Sequence, residues 1–134
     1  MTNFTKRKIL IIEDHDSIRF LLGSILSKSY EVVTKRDGLE GMAWLVSGNL
    51  PDLILLDVTM PRLNGTEFLR NIRQNALLKG IPVIIVSGND GASDIEYCHN
   101  LGIYDYLTKP FNPIKLKEKI EAVLRQYHAR AILN

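Results

Sequence analysis

A run of four apolar residues that ends on a carboxylate constrains this chain most. Residues 53–56, Leu-Ile-Leu-Leu, show no polar alternation, which predicts a strand covered on both faces, as in a parallel sheet. Asp57 then lies at the carboxyl end of that strand. Met60-Pro61 and Asn64-Gly65 follow and predict a loop, because proline fixes φ and Asn-Gly tolerates positive φ. The chain therefore places one carboxylate at the rim of a sheet, before a turn.

Strand-like runs alternate with helical patterns along the whole sequence. Besides the central run, strands are predicted at 8–12, 31–34, 82–86 and 103–107, and the more polar 31–34 is expected near an edge. Helices follow each of them; the first is expected to be capped by Asp16 or Ser17 and the last by Asn112, while the weakly apolar fourth, from Ala92 to Asn100, is expected to be loosely held. Five strand-then-helix units with short connections require parallel strands and right-handed crossovers.

This pattern predicts an open α/β sheet with helices on both faces. The 134 residues suit one domain, predicted over 1–127, with a short tail at 128–134. In such sheets, ligands bind beyond the carboxyl ends of the strands, where the strand order reverses. The candidate chemical groups follow four different strand ends, and they are Glu13, Asp14, Asp57, Ser87 and Lys109.

Composition excludes several classes of function. The formal net charge is +2 and the basic residues are mostly dispersed, so the sequence does not predict direct binding to nucleic acid. The single cysteine, Cys98, rules out an internal disulfide and is expected at the surface or its boundary. No apolar run approaches the length of a membrane span or a signal peptide. We therefore expect a soluble, cytoplasmic protein that does not contact the membrane.

Three carboxylates at one sheet edge indicate a metal site. Converging carboxylates repel one another, and a divalent cation relieves that repulsion. Acidic oxygen ligands suit Mg²⁺ or Mn²⁺ rather than zinc. With such a metal bound, one carboxylate can act as a nucleophile toward a phosphoryl group. Lys109 and Ser87 would then supply charge and a hydrogen bond to the transferred oxygens.

Four motifs in order resemble the receiver domain of two-component response regulators. They are Ile-Ile-Glu13-Asp14, Leu-Leu-Asp57-Val-Thr-Met-Pro-Arg-Leu-Asn-Gly65, Ile-Ile-Val-Ser87-Gly88 and Asp-Tyr106-Leu-Thr-Lys109-Pro110-Phe111. The resemblance spans nearly the whole chain. It implies a flavodoxin-like (βα)5 fold, a doubly wound parallel sheet of five strands in the order 2-1-3-4-5.

The resemblance also implies a phosphorelay role. Asp57 would accept a phosphoryl group from the phosphohistidine of a sensor histidine kinase or a phosphotransfer protein. Glu13, Asp14, Asp57 and the backbone carbonyl of Thr59 would bind Mg²⁺, with Glu13 acting mainly through a water. Lys109 would pair with the phosphoryl group. The domain would thus catalyse its own aspartyl phosphorylation and dephosphorylation.

A conformational switch is implied as well. Ser87 would move to hydrogen-bond the phosphoryl group, and Tyr106 would then turn inward. That movement would alter the face formed by the fourth helix, fifth strand and fifth helix, which in this family is the output surface for a downstream protein. A dimer formed through that face on phosphorylation is a further hypothesis, for which the sequence supplies no decisive patch. The resemblance further implies a cis bond at Lys109-Pro110.

Other functions remain open at this point. A dehalogenase-like hydrolase also forms an aspartyl phosphate, but its second aspartate corresponds to Thr59 here. A nucleotide or flavin binder would need a glycine cradle, whereas the first turn is acidic. A pseudo-receiver that only binds partners would keep the fold without the phosphorylation. The short tail favours a stand-alone receiver that acts by protein contact, an expectation that a continuing reading frame would overturn.

Overall fold

The computed structural model describes residues 6–58, 65–88 and 92–133, except for the side chains of 92–95, 97 and 127–133. Within these ranges five strands and five helices alternate. The strands are β1 (Lys8–Ile12), β2 (Glu31–Lys35), β3 (Leu53–Asp57), β4 (Val83–Ser87) and β5 (Asp105–Thr108). The helices are α1 (Asp16–Leu26), α2 (Gly38–Val46), α3 (Gly65–Arg73), α4 (Ala92–Leu101) and α5 (Pro113–Leu133).

All strand pairs are parallel, and the sheet order is β2-β1-β3-β4-β5. The predicted fold and strand order are confirmed, and the half-exposed β2 is an edge strand. In the sheet, β2 lies on one side of β1, and β3, the next strand in the chain, lies on the other side of β1. This reversal opens a crevice between β1 and β3 at the carboxyl edge, where sheets of this kind bind ligands.

Two apolar clusters cover the two faces of the sheet. Alternate residues of each central strand point to opposite faces, so Ile9 and Leu53 pack with α1 and α5, while Leu10 and Ile54 pack with α2 and α3. Both sets are fully buried. Burial on both faces is the reason why the central strands carry no polar alternation.

Local boundaries correct several details of the sequence-based predictions. The N-cap of α1 is His15, not Asp16 or Ser17, and both of those residues lie inside the helix. Cys98 is completely buried in the cluster under α2 and α3, not at the surface, because it faces the sheet from α4. The last strand begins at Asp105, two residues later than expected.

The ends of the helices follow the expected chemistry elsewhere. Gly48 after α2 and Gly102 after α4 adopt positive φ, which terminates a helix at little steric cost. Asn112 Oδ1 accepts hydrogen bonds from the backbone N–H groups of Ile114 (2.8 Å) and Lys115 (3.3 Å) and caps α5 as predicted. Helix α5 continues to Leu133, so residues 128–133 are helical. The domain boundary at 127 stays a prediction.

Gly65 is required for close approach between α3 and the end of β3. A Cβ at this position would lie 2.4 Å from Val58 Cα and 2.8 Å from the carbonyl oxygen of Asp57. The backbone of Gly65 does not have positive φ. The sequence motif therefore needs glycine here for space, which lets the first turn of α3 rest on the segment that carries Asp57.

We predict that Gly65→Ala destabilises the domain by about 1–3 kcal/mol, because two backbone atoms must move to admit the methyl group. Gly23→Ala is the matched control in α1, where the nearest atom, Thr34 Cγ2, would be 3.8 Å away. Alanine favours a helix over glycine, so the control should stabilise by up to about 1 kcal/mol. Urea unfolding measures the free energy of unfolding of both variants. Equal changes in Gly65→Ala and Gly23→Ala would contradict the steric argument.

Candidate active site at the carboxyl edge

Strand register brings the two buried carboxylates together. Ile12 pairs with Leu56 across β1 and β3, so the next residues, Glu13 and Asp57, lie side by side at the strand ends. Each is only 1% exposed. The backbone N–H of Glu13 donates to the carbonyl of Lys35 (3.1 Å), which extends the β1–β2 pairing by one residue and holds Glu13 at the edge.

Lys109 places a cation between these carboxylates. Its Nζ lies 3.0 Å from Glu13 Oε1 and 3.3 Å from Asp57 Oδ2, and its side chain is 16% exposed. The backbone N–H of Lys109 donates to the carbonyl of Ser87 (2.7 Å), so β4 positions the residue that follows β5. The Lys109-Pro110 bond is cis, as the resemblance implied. The structure thus brings the predicted lysine and two predicted carboxylates together.

Burial and crowding change the protonation behaviour of this group. Burial, reinforced by the neighbouring Asp57, raises the pKa of Glu13 to about 7, although Lys109 opposes the shift. Burial alone would lower the pKa of Lys109, but the carboxylates of Glu13 and Asp57 outweigh it, and the pKa lies above its usual range. The side chain of Lys109 therefore stays positively charged and attracts two carboxylates that repel each other.

Oxygen atoms at this edge fit a hard divalent cation. Glu13 Oε1 and Asp14 Oδ1 are buried and accept no hydrogen bond within the described part of the chain; Glu13 Oε1 meets Lys109 only as an ion pair. Ligand atoms of Glu13, Asp14, His15 and Asp57 all lie within 4.8 Å of one another. Buried oxygens without donors and with excess negative charge favour a cation such as Mg²⁺. Thr59, whose carbonyl was predicted as a further ligand, lies outside the described residues.

The two predicted switch residues lie along the neighbouring strands. Ser87 ends β4, is fully buried, and donates from Oγ to the carbonyl of the adjacent Gly88 (3.1 Å). Tyr106 on β5 is 40% exposed. Its ring packs edge-to-face on His99 of α4, with 5.9 Å between centroids and 87° between planes. Tyr106 therefore lies on the outer side of the sheet edge in this structure.

Arg19 is a supporting residue that sequence reasoning missed. Its Nη1 donates to the backbone carbonyl of Glu13 (2.9 Å), and its guanidinium also pairs with Asp16, one helical turn earlier. The three-residue spacing of Asp16 and Arg19 was visible as a helical ion pair. The hydrogen bond from Arg19 to the carbonyl of Glu13 could not be predicted, because it depends on how α1 packs over the end of β1.

Comparison with known proteins identifies the family. Residues 9–121 match the family described as the response regulator receiver domain. The chain belongs to this family. Receiver domains generally bind Mg²⁺ at an acidic pocket, and those of response regulators interact with histidine kinases or phosphotransfer proteins. This receiver domain carries an acidic cluster of Glu13, Asp14 and Asp57 at its carboxyl edge.

Individual relatives agree with that assignment. The chain is 37% identical over 121 residues to the alkaline phosphatase synthesis transcriptional regulatory protein PhoP of Bacillus subtilis, covering 90% of this chain and 49% of that protein. It is 38% identical to the probable transcriptional regulator ycf27 of Guillardia theta, covering 95% and 49%. The receiver domain therefore spans about half the length of these curated relatives.

Solved structures extend the comparison to the backbone. A CheY-like receiver domain protein from Methanospirillum hungatei superposes with a TM-score of 0.86 at 30% identity, covering 94% of this chain and 99% of that one. The Vibrio cholerae chemotaxis protein CheY4 gives a TM-score of 0.81 at 30% identity, covering 89% and 99%. Among the described helices of this receiver domain, none has the length and apolar character to cross a membrane.

We predict that Lys109→Met destabilises the metal-free domain by about 3 kcal/mol, because it leaves two buried carboxylates without their cation. The matched control is Lys119→Met, which removes the partner of Asp105 (2.8 Å) where both side chains are about one-third exposed, at 31% and 35%. That change should cost less than about 1 kcal/mol. Urea unfolding in the presence of a chelator checks both values; a similar cost for both variants would contradict the electrostatic account of the site.

Proposed function

We propose that Asp57 accepts a phosphoryl group from a phosphohistidine on a sensor histidine kinase or a histidine phosphotransfer protein. The observation that carries the proposal is the buried Asp57 carboxylate, which contacts Lys109 and lies beside the buried carboxylate oxygens of Glu13 and Asp14. A carboxylate oxygen of Asp57 attacks phosphorus and the P–N bond to the histidine breaks. The other ring nitrogen of the phosphohistidine already carries a proton, so the bonding electrons return to nitrogen and neutral imidazole leaves. The product is an aspartyl phosphate.

Each neighbouring group then has a defined task. Glu13, Asp14, Asp57 and the backbone carbonyl of Thr59 hold Mg²⁺ or Mn²⁺, with Glu13 acting mainly through a water. The cation neutralises charge on the phosphoryl oxygens when it is bound. Lys109 would add a second positive charge and needs little rearrangement, because it already contacts Asp57. The same groups support hydrolysis of the aspartyl phosphate by water, so the domain resets itself.

Phosphorylation is communicated through Ser87 and Tyr106 in this proposal. The Ser87 hydroxyl donates to an adjacent carbonyl, a local bond that it can exchange for a bond to a phosphoryl oxygen. When the end of β4 moves, Tyr106 gives up its ring contact with His99 and turns inward. The face of α4, β5 and α5 then changes shape, and a downstream protein or a second phosphorylated copy binds there. We propose that the relay operates in the cytoplasm and that this domain does not contact nucleic acid or membrane directly.

We predict that incubation with Mg²⁺ and acetyl phosphate adds one phosphoryl group to the wild-type chain, as measured by intact mass. Asp57→Asn should abolish the adduct, because an amide lacks the nucleophilic oxygen. Asp52→Asn is the matched control at the other end of the same strand, where the carboxylate accepts the N–H of Lys8 (2.7 Å), and it should retain the adduct. An adduct that persists in Asp57→Asn would overturn the assignment of the acceptor.

We also predict that Mg²⁺ stabilises the folded domain. At a concentration one hundred times its dissociation constant, a ligand of the native state adds about 2.7 kcal/mol, which raises the melting temperature by several degrees. Asp14→Asn should remove most of that gain, because it deletes a charged oxygen of the cluster. Asp52→Asn should retain it. Thermal unfolding with Mg²⁺ or chelator measures the gain, and equal melting temperatures in both conditions for the wild type would count against the metal site.

A further inference from the structure

The imidazole of His15 lies against the acidic cluster. Its Nδ1 is 3.4 Å from Glu13 Oε2 and also 3.4 Å from Asp14 Oδ1. His15 is the N-cap of α1, yet its side chain makes no capping hydrogen bond, while its backbone N–H donates to Glu13 Oε2 (3.2 Å). The backbone thus holds this residue at the edge of the carboxylate group, with one ring nitrogen close to two oxygens.

These distances are compatible with neighbouring ligands of one ion. A charge-assisted N–H···O bond is typically about 2.7–2.9 Å long and points at one acceptor. Nδ1 is instead equally far from two oxygens, beyond that range from both. Adjacent ligands of an octahedral ion with bonds of about 2.1 Å are roughly 3 Å apart, which is close to the separations found here. His15 therefore places one nitrogen beside the carboxylate oxygens of the cluster.

A nitrogen ligand changes which cation the cluster favours. Mg²⁺ takes oxygen ligands almost exclusively, whereas imidazole suits transition metals such as Fe²⁺ and Ni²⁺. Oxygen ligands also suit Mn²⁺, but as a transition metal it accepts an imidazole ligand beside carboxylates. The buried Asp14 Oδ1, which accepts no hydrogen bond among the described residues, lies next to this nitrogen. Oxygen and nitrogen donors are thus side by side, in a group whose ligand atoms all lie within 4.8 Å.

We propose that Nδ1 of His15 is a metal ligand that shifts this receiver site toward divalent transition metals. The inference rests on the proposed function, since it concerns the cation that assists phosphorylation of Asp57. It assigns the site a mixed nitrogen and oxygen donor set in place of oxygen alone. Mn²⁺ then binds through His15 as well as through carboxylates, while Mg²⁺ binds through the oxygens and is indifferent to the imidazole.

Calorimetric titration of the metal-free chain with Mg²⁺ and with Mn²⁺ tests this assignment. In His15→Ala, the dissociation constant for Mn²⁺ should rise about tenfold or more, and that for Mg²⁺ should change less than about twofold. His99→Ala is the control, because His99 lies on α4 against Tyr106 and should leave both constants unchanged. Equal changes for the two metals would show that His15 acts only through its charge and would overturn the proposal.

Pulsed EPR on bound Mn²⁺ supplies an independent readout. The wild type and His99→Ala should show ¹⁴N coupling from a directly bound imidazole, and His15→Ala should lack it. His15→Asn is the second variant, because asparagine suits an N-cap and keeps α1 intact while it removes the ring nitrogen. It should also lose the coupling. Absence of ¹⁴N coupling in the wild type would overturn the assignment.

The outcomes separate this inference from the proposed function. If the wild type binds Mg²⁺ and forms the Asp57 adduct but His15→Ala leaves the preference between Mn²⁺ and Mg²⁺ unchanged, the inference alone fails. If the wild type binds neither cation and forms no adduct, the inference about His15 and the proposed function both fail. A change in metal preference with an unchanged adduct in Mg²⁺ supports both.

Discussion

The repulsion between Glu13 and Asp57 is the constraint to which the rest of the site responds. Both carboxylates are almost completely buried, and register makes them neighbours at the ends of β1 and β3. A buried pair of like charges is unfavourable unless something positive balances it. Lys109, the residue after β5, supplies one balancing charge. The pKa of Glu13 is nevertheless raised to about 7, first by burial and then by the neighbouring Asp57. An excess of negative charge on buried oxygens favours a divalent cation.

The sheet holds the two repelling carboxylates in place. The central strands are buried on both faces, so their ends are held by two apolar clusters and cannot easily separate to relieve the repulsion. Gly65 brings α3 against the backbone at Asp57, and Arg19 holds the carbonyl of Glu13 from the other side. The stability of the core thus maintains an electrostatically unfavourable group, which under the proposed function receives a metal and a phosphoryl group.

In the mechanism that we propose, communication and metal choice depend on residues at the margin of this group. Ser87 and Tyr106 have local partners, Gly88 and His99, that each can leave without breaking the core. His15 approaches the carboxylates from the first turn of α1. These side chains lie on loops and edges, where changes alter function without altering the fold. In the proposed function, the central strands and Lys109 form the phosphoryl site, and these other residues adjust metal binding and the response to phosphorylation.

Hydrophobic pattern and motif order alone determined the architecture and the candidate residues. Unbroken apolar runs mark strands covered on both faces, and parallel strands must end at a common edge, so Glu13, Asp57 and Lys109 could be predicted to converge. Tertiary structure decided the rest. The burial of Cys98, the contact from Arg19 to Glu13 and the approach of His15 depend on the direction of side chains from helices that fold back over the sheet. Periodicity reports which face of an element is apolar, but distances across the edge arise only when register and helix packing are set.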